Sequence, residues 1–221
     1  MSWLDVVCPT CCSGCGAAGQ LVCDRCAAAL AVPARRHVPT PCPAGMPPTW
    51  VVTAYDGPVR AMLLGYKERG AIGLMRPLGD AIARSVEMVP VDWCAPVSLV
   101  PVPSSAVSVR RRGDDVVGLL AARAARRLVA SGRRARVVGA LSQQRHVADS
   151  AGLSAPARAA NLADALAVRP SSSPVVRRRQ VVLVDDLVTT GATLCEAAAA
   201  LDRAGAHVVG AAAVAATQRH G

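Results

Sequence analysis

The sequence predicts an α/β protein: a parallel sheet flanked by helices, preceded by a small cysteine-rich ribbon. Three observations predict it. Residues 181–193 read Val-Val-Leu-Val-Asp-Asp-Leu-Val-Thr-Thr-Gly-Ala-Thr, an unbroken apolar run ending in two acids and then a Thr/Gly turn that opens a helix. Such a run suits a strand covered on both faces, which is the habit of parallel sheets. Apolar residues make up 52% of the chain with aromatics at only 2% and no phenylalanine, so the core must come from Val, Leu, Ala and Ile. A sheet covered by Ala-rich helices is the architecture that such residues pack well. Seven of the nine cysteines lie within the first 42 of 221 residues, a local cluster separate from the sheet pattern.

The ribbon comes first, over 1–38. Cys12-x2-Cys15-x7-Cys23-x2-Cys26 forms two knuckles, a spacing that closes a tetrahedral thiolate site for Zn²⁺. Cys8 and Cys11 offer an overlapping first knuckle, and the choice between the two pairs stays open at this level. All four positions filled by sulfur leave no place for water, so the zinc is expected to be structural and to supply much of the segment's folding free energy. His37 reads as an exposed loop residue, and Cys195 as a packed one. A short helix over 27–32 is expected to stop at Pro33.

Residues 39–49 hold five prolines between Pro39 and Pro48 and form a linker without regular structure. A small strand-helix-helix region follows over 50–95, expected in front of the main sheet. Its strand covers 50–55; Asp56-Gly57-Pro58 starts a helix that ends near Arg69 with Gly70 behind it, and a second helix covers 76–88.

The main sheet occupies 96–221. Its first strand, 97–102, ends in Pro101-Val102-Pro103-Ser104, and Asp114 or Asp115 caps a long helix ending at Gly132. Further strands are expected over 136–141, 180–184 and 207–215. A helix over 194–204 follows the acid pair, and a patternless polar stretch over 142–146 reads as a mobile loop.

Two acids at a strand's tip cannot belong to its core, since an unpaired buried carboxylate is prohibitive. Asp185 and Asp186 should therefore face a crevice and accept hydrogen bonds from vicinal hydroxyls such as those of a ribose. Behind them, the amides of Thr189, Thr190, Gly191, Ala192 and Thr193 lie at the positive end of a helix, ready for a phosphate. Two rival readings of the acid pair fail. A nucleoside-triphosphatase strand needs a Gly-x-x-x-x-Gly-Lys-Ser/Thr partner, and the only lysine, Lys67, is not in one; a phosphate-receiver pocket needs its acids near the domain's start.

The formal net charge of +10, carried almost wholly by arginine, implies an anionic ligand or partner. Five aromatics are few for a single-strand nucleic-acid binder. The longest apolar stretch, 208–216, is about half the length that a membrane span needs, so no membrane insertion is expected. The first residues lack a basic and apolar leader, so a cytoplasmic location is expected.

The segment 181–193 resembles the phosphoribosyl pyrophosphate (PRPP) signature of the type I phosphoribosyltransferases. Together with the cysteine ribbon, Tyr66-Lys67-Glu68-Arg69-Gly70, Val100-Pro101-Val102-Pro103, Arg112-Gly113 and Leu153-Ser154-x3-Arg158-x2-Asn161, nearly the whole chain is similar to the ComF/GntX family of phosphoribosyltransferase-like proteins. The resemblance implies a type I phosphoribosyltransferase fold and binding of PRPP with Mg²⁺. It implies transfer of the phosphoribosyl group to an acceptor not encoded in any short string, with release of pyrophosphate. On it, Asp185 and Asp186 hold the ribose hydroxyls, 189–193 the 5′-phosphate, and Pro101, Val102, Pro103 and Ser104 the pyrophosphate side. Arg145, Lys67 and Arg112 are expected on the pyrophosphate, with Arg158 beside the mobile loop. The alternative that it implies is a non-catalytic module binding PRPP, a nucleotide or single-stranded DNA, linked to competence proteins and DNA uptake. Oligomeric state is not encoded.

Overall fold

The computed structural model describes residues 11–103, 115–144 and 165–218. Its centre is a sheet in the order β1-β2-β9-β7-β3-β4, with β8 on the end of β9. These strands are β1 (Arg35–His37), β2 (Thr49–Ala54), β3 (Val97–Pro101), β4 (Ala135–Val137), β7 (Gln180–Val184), β8 (Leu187–Val188) and β9 (His207–Ala216). All neighbours run parallel except β1 and β2. A separate antiparallel pair joins β5 (Leu141–Gln143) to β6 (Leu166–Val168).

Both faces of the sheet are covered, as the unbroken apolar strand requires. Val182 and Val184 of β7 face a core built with α1 (Asp24–Leu30), α2 (Gly57–Glu68), α3 (Met75–Glu87) and α4 (Val116–Ala130). Val181 and Leu183 face the other side, where α5 (Ser173–Val176), α6 (Ala192–Arg203) and the β5–β6 pair pack. The alternation along one strand thus divides two apolar layers, and the fully buried leucines and valines of each supply the hydrophobic driving force. Asp115 caps α4 by accepting from the Gly118 N–H at 3.1 Å, and Gly132 closes it with a φ of +82°.

Several expectations are corrected. The strand near residue 50 is β2, and it pairs parallel with β9 inside the main sheet rather than lying in front of it. The ribbon's following residues supply β1, so His37 sits on a strand, half-buried, and not in an exposed loop. Burial and the neighbouring Arg35 charge lower its pKa. The strand expected over 136–141 is two elements: β4 stays with β3, then the chain leaves the sheet and Leu141–Gln143 pairs with β6. Part of the stretch read as a patternless loop is therefore strand. The helix after the cysteines begins earlier, at Asp24, so that Cys26 lies on it.

Candidate functional site

The chain reverses its winding between β3 and β7. From β3 it crosses over α4, on one face, to β4; from β7 it crosses over α6, on the other face, to β9. Neighbouring strands whose crossovers part to opposite faces leave a crevice at their carboxyl ends, where α/β sheets bind ligands. Pro101 pairs with Val184, so the turn after β3 and the acids after β7 leave the sheet side by side. The Val102 N–H donates to the Val184 carbonyl at 2.9 Å and fixes Pro101, Val102 and Pro103 beside the acid pair.

Asp185 is half-buried and Asp186 is buried. Pairing to β9 continues through both: the Asp185 N–H donates to the Ala212 carbonyl at 3.0 Å, and the Asp186 carbonyl accepts from the Val214 N–H at 3.3 Å. The Asp186 N–H donates to Asp185 Oδ1 at 2.8 Å. Lys67, in the last turn of α2, puts its Nζ 2.6 Å from Asp186 Oδ2. Desolvation, then the adjacent Asp186 charge, push the Asp185 carboxyl well above the ordinary carboxylate range, with Lys67 opposing them. A cation pulls on the acid pair while burial resists its double charge.

The turn behind the acids holds Thr189 exposed and Thr190 buried, with Gly191 at a φ of +79° before α6. Glycine is needed here twice over. The left-handed conformation strains any L side chain, and a Cβ would meet Met46 Sδ at 2.5 Å and Pro43 Cγ at 3.5 Å. The proline-rich segment is therefore packed against the turn, a contact that spacing in the sequence does not reveal. One helical turn further, burial pushes the Cys195 thiol up to about 11, with nearby Cys42 adding to the shift, as suits a packed residue. Ser104, Arg112, Arg145 and Arg158 lie outside the described residues.

The second site is the ribbon. The Sγ atoms of Cys12, Cys15, Cys23 and Cys26 all lie within 4.8 Å of one another, a set that could bind a structural metal such as zinc. Among the described residues the set takes Cys12 and Cys15 as its first pair, with Cys11 exposed and outside it; Cys8 lies outside the described residues. The Cys23 N–H donates to Cys12 Sγ at 3.3 Å and is the main reason why the Cys12 thiol falls to about 6. The Ala17 amide likewise lowers Cys15, whereas burial raises Cys26. Gly14, inside the first knuckle, lets it close on the second, since a Cβ there would meet Cys26 Sγ at 2.8 Å.

Paired acids and a helix-opening Thr/Gly turn thus stand together at the carboxyl ends of a parallel sheet, at the point where its winding reverses, which is where α/β proteins of this class bind ligands. The model of the phosphoribosyl transferase domain matches residues 102–221, over half the chain, and the protein belongs to that family. A comparison with curated proteins found no match. Among the described residues no helix is long and apolar enough to cross a membrane.

Proposed function

We propose that this protein binds PRPP with Mg²⁺ and transfers its phosphoribosyl group to a nucleophilic acceptor, releasing pyrophosphate. The observation that carries the reading is the acid pair and Thr/Gly turn at the winding reversal between β3 and β7. Asp185 and Asp186 orient the ribose through its 2′- and 3′-hydroxyls. The amides of 189–193 hold the 5′-phosphate at the head of α6. The Pro101–Val102–Pro103 turn lines the pyrophosphate side, where Arg145 and Arg112 are proposed to act. Catalysis of this kind is positioning and charge stabilisation, with few covalent duties for the protein.

Carboxylate oxygens suit a hard divalent cation, and the ammonium already drawn to Asp186 marks the place as one that takes positive charge. Asp185 and Asp186 would hold Mg²⁺ together with the ligand's own oxygens, and when bound it neutralises the leaving pyrophosphate. In the ribbon, Zn²⁺ is the metal that four clustered thiolates favour. Ribbon, Tyr66–Gly70 motif and signature together support membership of the ComF/GntX group and a cytoplasmic enzyme.

Calorimetry of PRPP with Mg²⁺ against the wild type and the Asp185→Ala, Asp186→Ala double variant tests the site. Binding by the wild type and its loss in the variant are expected; equal affinity would refute the assignment. Incubation with PRPP and a library of amines and bases tests turnover through pyrophosphate release. Tight DNA association with steep salt dependence and no turnover would favour a binding module linked to DNA uptake instead.

A further inference from the structure

The motif Tyr66-Lys67 has a geometric role before any ligand arrives, besides the pyrophosphate contact expected of Lys67. Tyr66 is buried, and its hydroxyl donates to the Val116 carbonyl at the start of α4 at 3.1 Å. The last turn of α2 is fixed by this bond and by the Ala71 N–H on the Gly65 carbonyl at 3.1 Å, before Gly70 turns the chain with a φ of +64°. From that anchored turn Lys67 reaches Asp186. The Asp186 side chain is 3% exposed and that of Lys67 27%, so the contact is largely shielded from bulk salt. Ammonium and divalent metal compete for the same carboxylate oxygens.

We infer that Lys67 is a resident counter-ion that keeps free divalent cations off the Asp185–Asp186 pair, so that a cation enters only with a pyrophosphate-bearing ligand. The identity of that ligand rests on the reading above; the exclusion itself rests on the ion pair. The ammonium is compact and ends a flexible stem, so it can leave a carboxylate for an incoming phosphate without losing its charge. Its place at the carbonyl end of α2 favours the cation in either position. Lys67 is thus a positioning residue of the acid pair, and the order of events follows from it. Metal alone meets a pair whose Asp186 carboxylate is already taken by the ammonium, whereas the metal–pyrophosphate complex brings anionic oxygens that take over the ammonium.

The test uses full-length protein loaded with Zn²⁺, so that the cysteines are filled, and titrates Mn²⁺ while the spin-resonance signal of the free ion is followed. Without PRPP, Lys67→Gln should bind Mn²⁺ at least about tenfold more tightly than the wild type, the scale of one partly buried charge contact. Adding Asp186→Asn to that variant should remove the gain. Lys67→Arg keeps the charge and should stay as cation-poor as the wild type. The wild type should take up Mn²⁺ once PRPP is added. Tight Mn²⁺ binding by the wild type alone would overturn the inference with no variant needed. So would a folded Lys67→Gln that gains nothing, or a Lys67→Arg that gains as much as the glutamine variant. A wild type that ignores PRPP while Lys67→Gln still gains Mn²⁺ would remove the sugar-phosphate reading and leave the exclusion standing.

Discussion

Replacing Gly191 by alanine separates two costs that the structure places at one atom. The residue sits at a φ of +79°, where an L side chain costs roughly 1–2 kcal/mol. The new methyl would also lie 2.5 Å from Met46 Sδ, and forced overpacking costs typically about 1–3 kcal/mol, here near the low end because a methionine can move. Gly191→Ala should therefore lose about 2–4 kcal/mol in urea unfolding of the zinc-loaded protein. Met46→Ala alone removes a half-buried side chain and should lose about 1–2 kcal/mol. The double variant decides the matter: with Met46 gone the collision disappears while the backbone strain stays, so it should be about 1 kcal/mol more stable than the sum of the singles. Additivity to within about 0.5 kcal/mol would show that the proline-rich segment is not seated on the turn. A Gly191→Ala variant as stable as the wild type would show that the turn is not left-handed.

Asp185→Asn should be more stable than the wild type at neutral pH. A carboxyl whose folded pKa is raised contributes stability that is fully present below its ordinary value near 3.8 and is lost as the pH climbs through the folded value. The advantage of the amide in thermal melts should thus grow from acid toward neutral pH; a difference that shrinks over that range would refute the desolvated-carboxyl account. Chelation of the ribbon metal should cost several kcal/mol, since structural zinc sites hold about 10 kcal/mol or more of apparent binding energy. Metal analysis before and after a chelator, paired with melting curves, checks it, and an unchanged melt after metal loss would refute it.

The strands 97–101, 180–184 and 207–216 were legible because burial on both faces leaves a predominantly apolar run, interrupted by Ser98 in the first, a strong local signal. The acid pair and the Thr/Gly turn were legible because polar residues at the end of such a run have few structural reasons to be there. What stayed hidden depends on contacts between distant segments. Nothing local marks Trp50–Val52 as a member of the main sheet, since membership is decided by β9 more than 150 residues later. The short strand Leu141–Gln143 has no alternation of its own and is held by Leu166–Val168. Lys67 was singled out as the lone lysine, yet its partner Asp186 could not be read from spacing, because the pairing depends on how α2 packs on the sheet's face. Met46 over Gly191 is hidden for the same reason: a proline-rich stretch reads as a linker whether it is solvated or packed.

The N-terminal half is for these reasons part of the site's construction and not an appendage to it. Cys12, Cys26 and Leu30 share one apolar layer with Val59, Met62, Leu63 and Tyr66, so the thiolate cluster and α2 are packed as a unit. That helix carries Lys67 to the acids, while its Tyr66 hydroxyl holds the start of α4. On the opposite face the chain between β1 and β2 lays Pro43 and Met46 against the Thr/Gly turn. Two routes thus run from the ribbon to the crevice, one through a helix to the carboxylates and one through a proline-rich strap to the turn. Close-packed interiors transmit such displacements instead of absorbing them. A disturbance of the cysteine cluster that moved α2 by even a fraction of an ångström would alter the Lys67–Asp186 contact before it unfolded the sheet, so stripping any metal that these cysteines hold should change the acid pair's surroundings at temperatures well below the melt.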